Sequence, residues 1–276
     1  MVSGARRLGL TDDVRFFADD GLLDRSKARA VRDLLDRTLK DVMTPMEDPI
    51  PAWTITGMQH DYGELLPKTV RVKTATFSSR RSKAFQRAGD IGLHTLLSSD
   101  SYVAFATALA GRPLARRFGT QVLCYGPGDY AGPHNDHHPE DPLARDGYTD
   151  VHLTFCTDGV ASQTLVAARE GHFTDQWSVA TVGGVTCYRL PFWHYVNPLQ
   201  ARRGKEAHAR RWVVLGTFLD ETPAGPVNGT RAGRGPRRGR WVAAGRALRT
   251  PPRCQRRRTS TPASAALRRS PRRHRP

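Results

Sequence analysis

The sequence predicts a mainly β fold with N-terminal helices: a sandwich or barrel over residues 116–220, with a helical support region over residues 1–115 forming one domain with it. Three observations lead there. From about Arg117 the chain breaks into seven or eight short runs rich in β-branched and aromatic residues, separated by turn formers. Before Gly111, apolar residues recur at three- and four-residue spacing instead. After Asp220 both patterns stop.

Taken in order, residues 11–43 carry Val14, Phe16, Phe17, Leu22, Leu23, Ala30, Val31, Leu34, Leu35, Leu39 and Val42 among charged residues. That spacing predicts one amphipathic helix, or two broken near Gly21. Pro45, Pro49, Pro51 and Pro67 make residues 44–75 loops and turns, with a strand expected at 69–76. His60 stands alone there and reads as a solvated or hydrogen-bonded side chain. Residues 79–95 return to helical spacing, and Arg80, Arg81, Lys83 and Arg87 form its solvated face. Ser98-Ser99-Asp100 can cap a further helix that stops near Gly111. The strand-like runs follow: QVLCY, PHNDH, VHLTF, SQTLVA, DQWSVAT, VTCYRL, HYVN and RWVVLGTFL.

A chain of 276 residues with 38% hydrophobic content can bury a sizeable core. Its four cysteines, Cys124, Cys156, Cys187 and Cys254, are scattered without CxxC spacing, and no apolar segment of signal-peptide or membrane-spanning length stands out. The expectation is a reducing cytoplasm and no membrane. The formal charge of +17 points toward polyanions until its placement is considered. Residues 221–276 hold sixteen Arg against one acid, Glu221, so this tail carries +15 and residues 1–220 only +2. The tail is also rich in Pro, Gly, Ser and Ala, a composition that predicts disorder. Without interleaved aromatics or a folded motif, it would meet nucleic acid only non-specifically.

The chemistry concentrates in two stretches. Residues 121–136 read QVLCYGPGDYAGPHND and end in the triplet His134-Asn135-Asp136. If that segment is extended, residues two apart face the same way, so imidazole and carboxylate converge on one ion. His138 would share that face and His137 would not. The second stretch is Trp193-His194-Tyr195-Val196-Asn197-Pro198, followed by Arg210-Arg211 opening the run WVVLGTFLD.

His-X-Asp, then His-X-Val-X-Pro, then an Arg opening a β-branched strand resembles the Fe(II)/2-oxoglutarate-dependent oxygenases, and most of all their prolyl-hydroxylase-like branch. The resemblance implies a double-stranded β-helix (jelly-roll, cupin-like) core. It implies an iron site of His134, Asp136 and His194, and a 2-oxoglutarate held by an arginine through a bidentate, charge-assisted pair. Arg211 is the candidate, with Arg210 as fallback on the opposite face. Tyr125 is either a phenol beside the 2-oxo acid or an aromatic filling the barrel. The implied activity is hydroxylation of an unactivated C–H bond of a small-molecule or peptide substrate, with Fe(II), 2-oxoglutarate and dioxygen, and ascorbate as a candidate accessory. Two other classes compete. A non-catalytic or zinc-binding jelly-roll protein would use the same ligands, and a nucleic-acid-associated protein would act through the Arg-rich tail.

Overall fold

The computed structural model describes residues 9–10, 14–50, 69–77, 80–136, 148–170 and 172–220. His60, His137, His138 and the Arg-rich tail lie outside the described residues. Strand β1 (Phe16–Asp19) comes first, then helix α1 (Arg25–Leu39), a 3-10 turn at Lys40–Val42, β2 (Thr44–Pro49) and β3 (Thr69–Thr76). Helices α2 (Lys83–Asp90), α3 (Leu93–Leu97) and α4 (Asp100–Ala110) follow. The remaining strands are β4 (Leu114–Tyr125), β5 (Tyr130–His134), β6 (Tyr148–Cys156), β7 (Val160–Ser162), β8 (Thr164–Arg169), β9 (His172–Ser178), β10 (Val182–Arg189), β11 (His194–Val196), β12 (Gln200–Ala201) and β13 (Arg211–Asp220).

The helices start where side chains can satisfy their orphan amides. Asp24 accepts from the Lys27 amide (2.8 Å), Ser82 from Phe85 (3.1 Å) and Ser99 from Tyr102 (3.2 Å). Helix α4 stops at Gly111, whose φ of +66° suits a residue without Cβ. The helical stretch over 79–95 divides in two because Gly92 sits at φ +73°.

Hydrogen-bonded strands run in the order β1-β10-β6-β13-β4-β3-β5-β11-β8-β9, with β2 attached to β3 and a separate pair β12-β7. Every pairing is antiparallel. The two ends of the path meet: the Phe16 ring of β1 lies 3.9 Å from the Trp177 ring of β9. The sheet is therefore a nearly closed antiparallel barrel, consistent with the jelly-roll core that the sequence leads one to expect.

Alternation sorts its side chains. Val151, Leu153 and Phe155 of β6, Val185 and Cys187 of β10, and Trp212, Val214 and Phe218 of β13 pack outward against Leu35, Leu39, Leu97 and Tyr102 of the helices. The opposite face lines the interior. Val213 and Cys156 belong to one apolar cluster, Leu219 and Tyr148 to another, so the interior has two apolar ends. Polar residues of β6 and β13 lie between them.

Residues 1–115 do more than the helical support region predicted for them. They place three strands, β1, β2 and β3, in the main sheet, and the boundary at 115/116 falls inside β4. Phe16 and Phe17, predicted as helical, alternate instead: Phe16 lies tilted against Trp177 and stacks on Phe192, while Phe17 packs with the helices. Two apolar neighbours that face different cores require a strand.

Candidate metal and co-substrate site

His134 ends β5 and His194 opens β11, and the two are cross-strand partners, which brings their rings to 4.4 Å between centroids. Each ring is oriented by a backbone carbonyl two residues earlier: Nδ1 of His134 donates to Gly132 (2.5 Å) and Nδ1 of His194 to Phe192 (2.8 Å). That choice leaves both Nε2 atoms free to ligate. Asp136 completes the group, with Oδ1 3.2 Å from Nε2 of His134 and Oδ2 3.8 Å from Nε2 of His194. One donor atom from each of the three residues lies within 4.8 Å of the others.

The convergence does not come from strand alternation, as the extended reading of the triplet has it. Asp136 lies beyond β5 with φ +54°, a left-handed conformation that Asp tolerates, and this turn swings the carboxylate back onto the histidines. Tyr148 holds the turn by donating its hydroxyl to the Asp136 carbonyl.

Burial works against ionisation of Asp136, but the His134 and His194 imidazoles outweigh it and hold the carboxyl well below the usual range. Burial likewise opposes a charge on His134, yet the adjoining Asp136 raises that imidazole above its ordinary value. Burial and then the His134 charge push His194 down to about 4. The trio therefore presents one carboxylate and two imidazole nitrogens with release of at most a proton, a donor set suited to a divalent d-block ion.

Arg211, only 3% exposed, opens β13 opposite Tyr125 and points into the barrel. Its guanidinium lies 4.5 Å from the Tyr125 ring centre, and Nη1 donates to Oε1 of Gln163 at 2.7 Å. Nε has no partner, and among the described residues no carboxylate pairs with this cation. Burial lowers its pKa. Gln163, fully buried between β7 and β8, is itself pinned: its Nε2 donates to the carbonyls of Asp129 (3.1 Å) and Asn197 (3.0 Å). Because guanidinium only donates, this amide must turn its oxygen toward Arg211.

Arg210 faces the other way. Its Nε donates to Asp36 of α1 at 2.6 Å and Nη1 to the Ala207 carbonyl at 2.8 Å. Trp212, on the same face, also donates to Asp36 (3.2 Å).

Sequence reasoning missed Gln163, Tyr148 and the interior wall opposite the triad. There, His152 Nε2 lies 3.1 Å from the Tyr188 hydroxyl, and the Tyr188 ring is 5.1 Å from both Phe192 and His194. Burial, then the nearby Arg211 and His194, push His152 down to about 3, so it is a neutral imidazole. Asp150 accepts from the Thr217 hydroxyl at 2.6 Å. Burial and the Asp136 charge push its carboxyl up to about 8. A signal for this wall existed. In YTDVHLTFC, Val151, Leu153 and Phe155 alternate with Asp150, His152 and Thr154, so an apolar outer face implies a polar inner one.

No protein-family model and no curated protein matches the chain. Solved structures do. An oxidoreductase of the 2OG-Fe(II) oxygenase family from Burkholderia pseudomallei is similar over 75% of this chain and 86% of its own, with 14% identity and a TM-score of 0.50. The non-heme alpha ketoglutarate dependent epimerase SnoN from nogalamycin biosynthesis is similar over 79% and 86%, with 16% identity and a TM-score of 0.49. A Pseudomonas putida prolyl-4-hydroxylase is similar over 75% and 93%, with 12% identity and a TM-score of 0.41. The chain thus has the fold of the 2OG-Fe(II) oxygenases. No helix among the described residues is long and apolar enough to cross a membrane.

Proposed function

We propose that this protein is an Fe(II)- and 2-oxoglutarate-dependent dioxygenase that hydroxylates an unactivated C–H bond of a small-molecule or peptide substrate. The observation that carries the reading is Arg211: a buried guanidinium that no carboxylate pairs with among the described residues, facing the same interior as a His-Asp-His donor set. A buried cation is costly unless paired, so a site that keeps one alone is built for an anion that arrives later. 2-Oxoglutarate fits both halves, with a 2-oxo acid for the metal and a distal carboxylate for the guanidinium fork.

In this reading His134, Asp136 and His194 hold the iron, and the Nδ1 bonds to Gly132 and Phe192 keep both imidazoles aimed. Arg211 holds the distal carboxylate, with Gln163 fixing the plane of the fork and the Tyr125 ring supporting its face. A neutral amide at that position leaves the guanidinium's charge available to the ligand. His152, kept neutral by burial and by the nearby Arg211 and His194, adds no charge to this interior. Iron held by His134, Asp136 and His194, with 2-oxoglutarate and dioxygen, would supply the oxidising power for hydroxylation, and the protein's share is binding and orientation.

The test is succinate formation from 2-oxoglutarate by the full chain with Fe(II) and ascorbate, alone and with a panel of candidate substrates. Succinate that requires Fe(II) and disappears in Asp136→Ala supports the reading. Tight zinc binding with no 2-oxoglutarate binding would instead favour a jelly-roll protein that is not an oxygenase.

A further inference from the structure

The barrel interior holds a second buried charge-bearing side chain that makes no ion pair among the described residues. Asp150 is 3% exposed, and among the described residues only the Thr217 hydroxyl bonds to its carboxyl. Arg211 cannot be the missing partner. Asp150 pairs across the sheet with Thr217, and Arg211 pairs with Cys156 at the other end of the same two strands. Six residues separate Arg211 from Thr217 on β13, about 20 Å at roughly 3.3 Å per residue.

Asp150 belongs to the wall that faces the triad. Tyr148, two residues away on the same face of β6, donates to the Asp136 carbonyl. Tyr188, its partner on β10, has its ring 5.1 Å from His194. The surroundings are aromatic: Tyr188 stacks on Phe192 at 5.1 Å, and Phe16 lies 5.4 Å from Phe192. A carboxyl at the foot of an aromatic wall is the arrangement that takes up a cationic nitrogen, the acid supplying charge and the ring faces supplying their quadrupoles.

Resting on the dioxygenase reading above, we propose that Asp150 anchors a cationic nitrogen of the substrate, an ammonium or alkylated ammonium, beside the rings of Tyr188 and Phe192. A substrate hydroxyl would need no acid here, since a serine or asparagine would serve it at lower desolvation cost. Burial and then the Asp136 charge push the carboxyl up to about 8, and a cation brought alongside would restore its charge. The two unpaired groups then divide the work: Arg211 receives the anionic co-substrate and Asp150 the cationic substrate.

The test uses the full chain and a matched pair of probes, choline and its uncharged isostere 3,3-dimethylbutan-1-ol. Both are titrated calorimetrically under anaerobic conditions, with and without Fe(II) and 2-oxoglutarate. The parent should bind choline at least tenfold more tightly than the alcohol. Asp150→Asn should erase that preference while 2-oxoglutarate binding persists, which also certifies its fold. Asp150→Glu and Thr217→Val retain the charge and should retain the preference; they decide the matter if Asp150→Asn does not fold. A parent that binds neither probe, or both equally, overturns the proposal, as does an Asp150→Asn chain that still prefers choline. If 2-oxoglutarate fails to bind the parent, the dioxygenase reading falls, whereas the choline comparison is read without it.

Discussion

Replacing Arg211 by methionine should separate a binding residue from a structural one by the sign of its effect. The substitution removes the bond to Gln163, worth roughly 1.5–3 kcal/mol for a charged donor, and the contact with the Tyr125 ring, roughly 0.5–2 kcal/mol. It also removes the desolvation penalty of an uncompensated buried guanidinium, which is about several kcal/mol. The terms nearly cancel, with a small balance toward the variant. Without ligand, Arg211→Met should therefore be at least as stable as the parent, by on the order of 1 kcal/mol, or about 2–4 °C in Tm for a domain of this size. With 2-oxoglutarate at a hundred times its Kd, the parent should gain roughly 2.7 kcal/mol, about 5–10 °C, and the variant nothing. Differential scanning calorimetry with a redox-inert divalent metal, with and without 2-oxoglutarate, reads both effects. Arg211→Lys keeps the charge without the fork and should weaken 2-oxoglutarate by roughly one to two orders of magnitude. A loss of 3–5 kcal/mol in unliganded Arg211→Met, typical of a broken buried pair, together with an undiminished 2-oxoglutarate shift, would refute the assignment.

Three more outcomes are expected. Asp136→Ala should lose Fe(II) and succinate formation together, since two imidazoles hold a labile ion weakly; stoichiometric iron by colorimetric assay in an active variant would contradict the ligand assignment. Gln163→Leu should raise the apparent KM for 2-oxoglutarate about tenfold with little change in kcat, because it frees the fork rather than the metal, whereas Arg210→Lys should alter neither value because Arg210 is engaged by Asp36. Asp150, whose folded pKa is raised to about 8, keeps a proton that the unfolded chain has released above pH 4. The parent should therefore lose stability with a slope of about 1.4 kcal/mol per unit as pH rises from about 4 toward 8, and urea titrations should find that slope reduced in Asp150→Asn.

What could be read in the sequence were features whose physics is local. His134 and Asp136 lie two apart, and His194 sits in a short strand run, so the donor types were visible without knowing how strands pair. Adjacent Arg210 and Arg211 had to face opposite sides of a strand, and they do, one bonded to Asp36 and the other to Gln163. Helix α4 was bounded by its own chemistry, the Ser99 cap and the Gly111 stop. Even the local argument failed where a single dihedral mattered: the approach of Asp136 to the histidines depends on φ +54° and not on an extended chain. The strand at Phe16 was equally hidden, because it exists only through pairing with Tyr188, far along the chain.

By itself the sequence determined the mainly β core and the segregation of positive charge into residues 221–276, which follow from composition and from the fixed periods of strand and helix, while the donor set and the candidate anchoring arginine were legible only through the family resemblance that its motifs carry. Only the tertiary structure decided that Gln163 locks Arg211, that Tyr148 reaches Asp136, that His152 meets Tyr188, and that Asp150 and Arg211 occupy separate stations of one interior. Those relations join strands distant in sequence, and their register is set by which face each strand must bury and by where the barrel closes on Phe16 and Trp177, neither of which any short stretch of residues encodes.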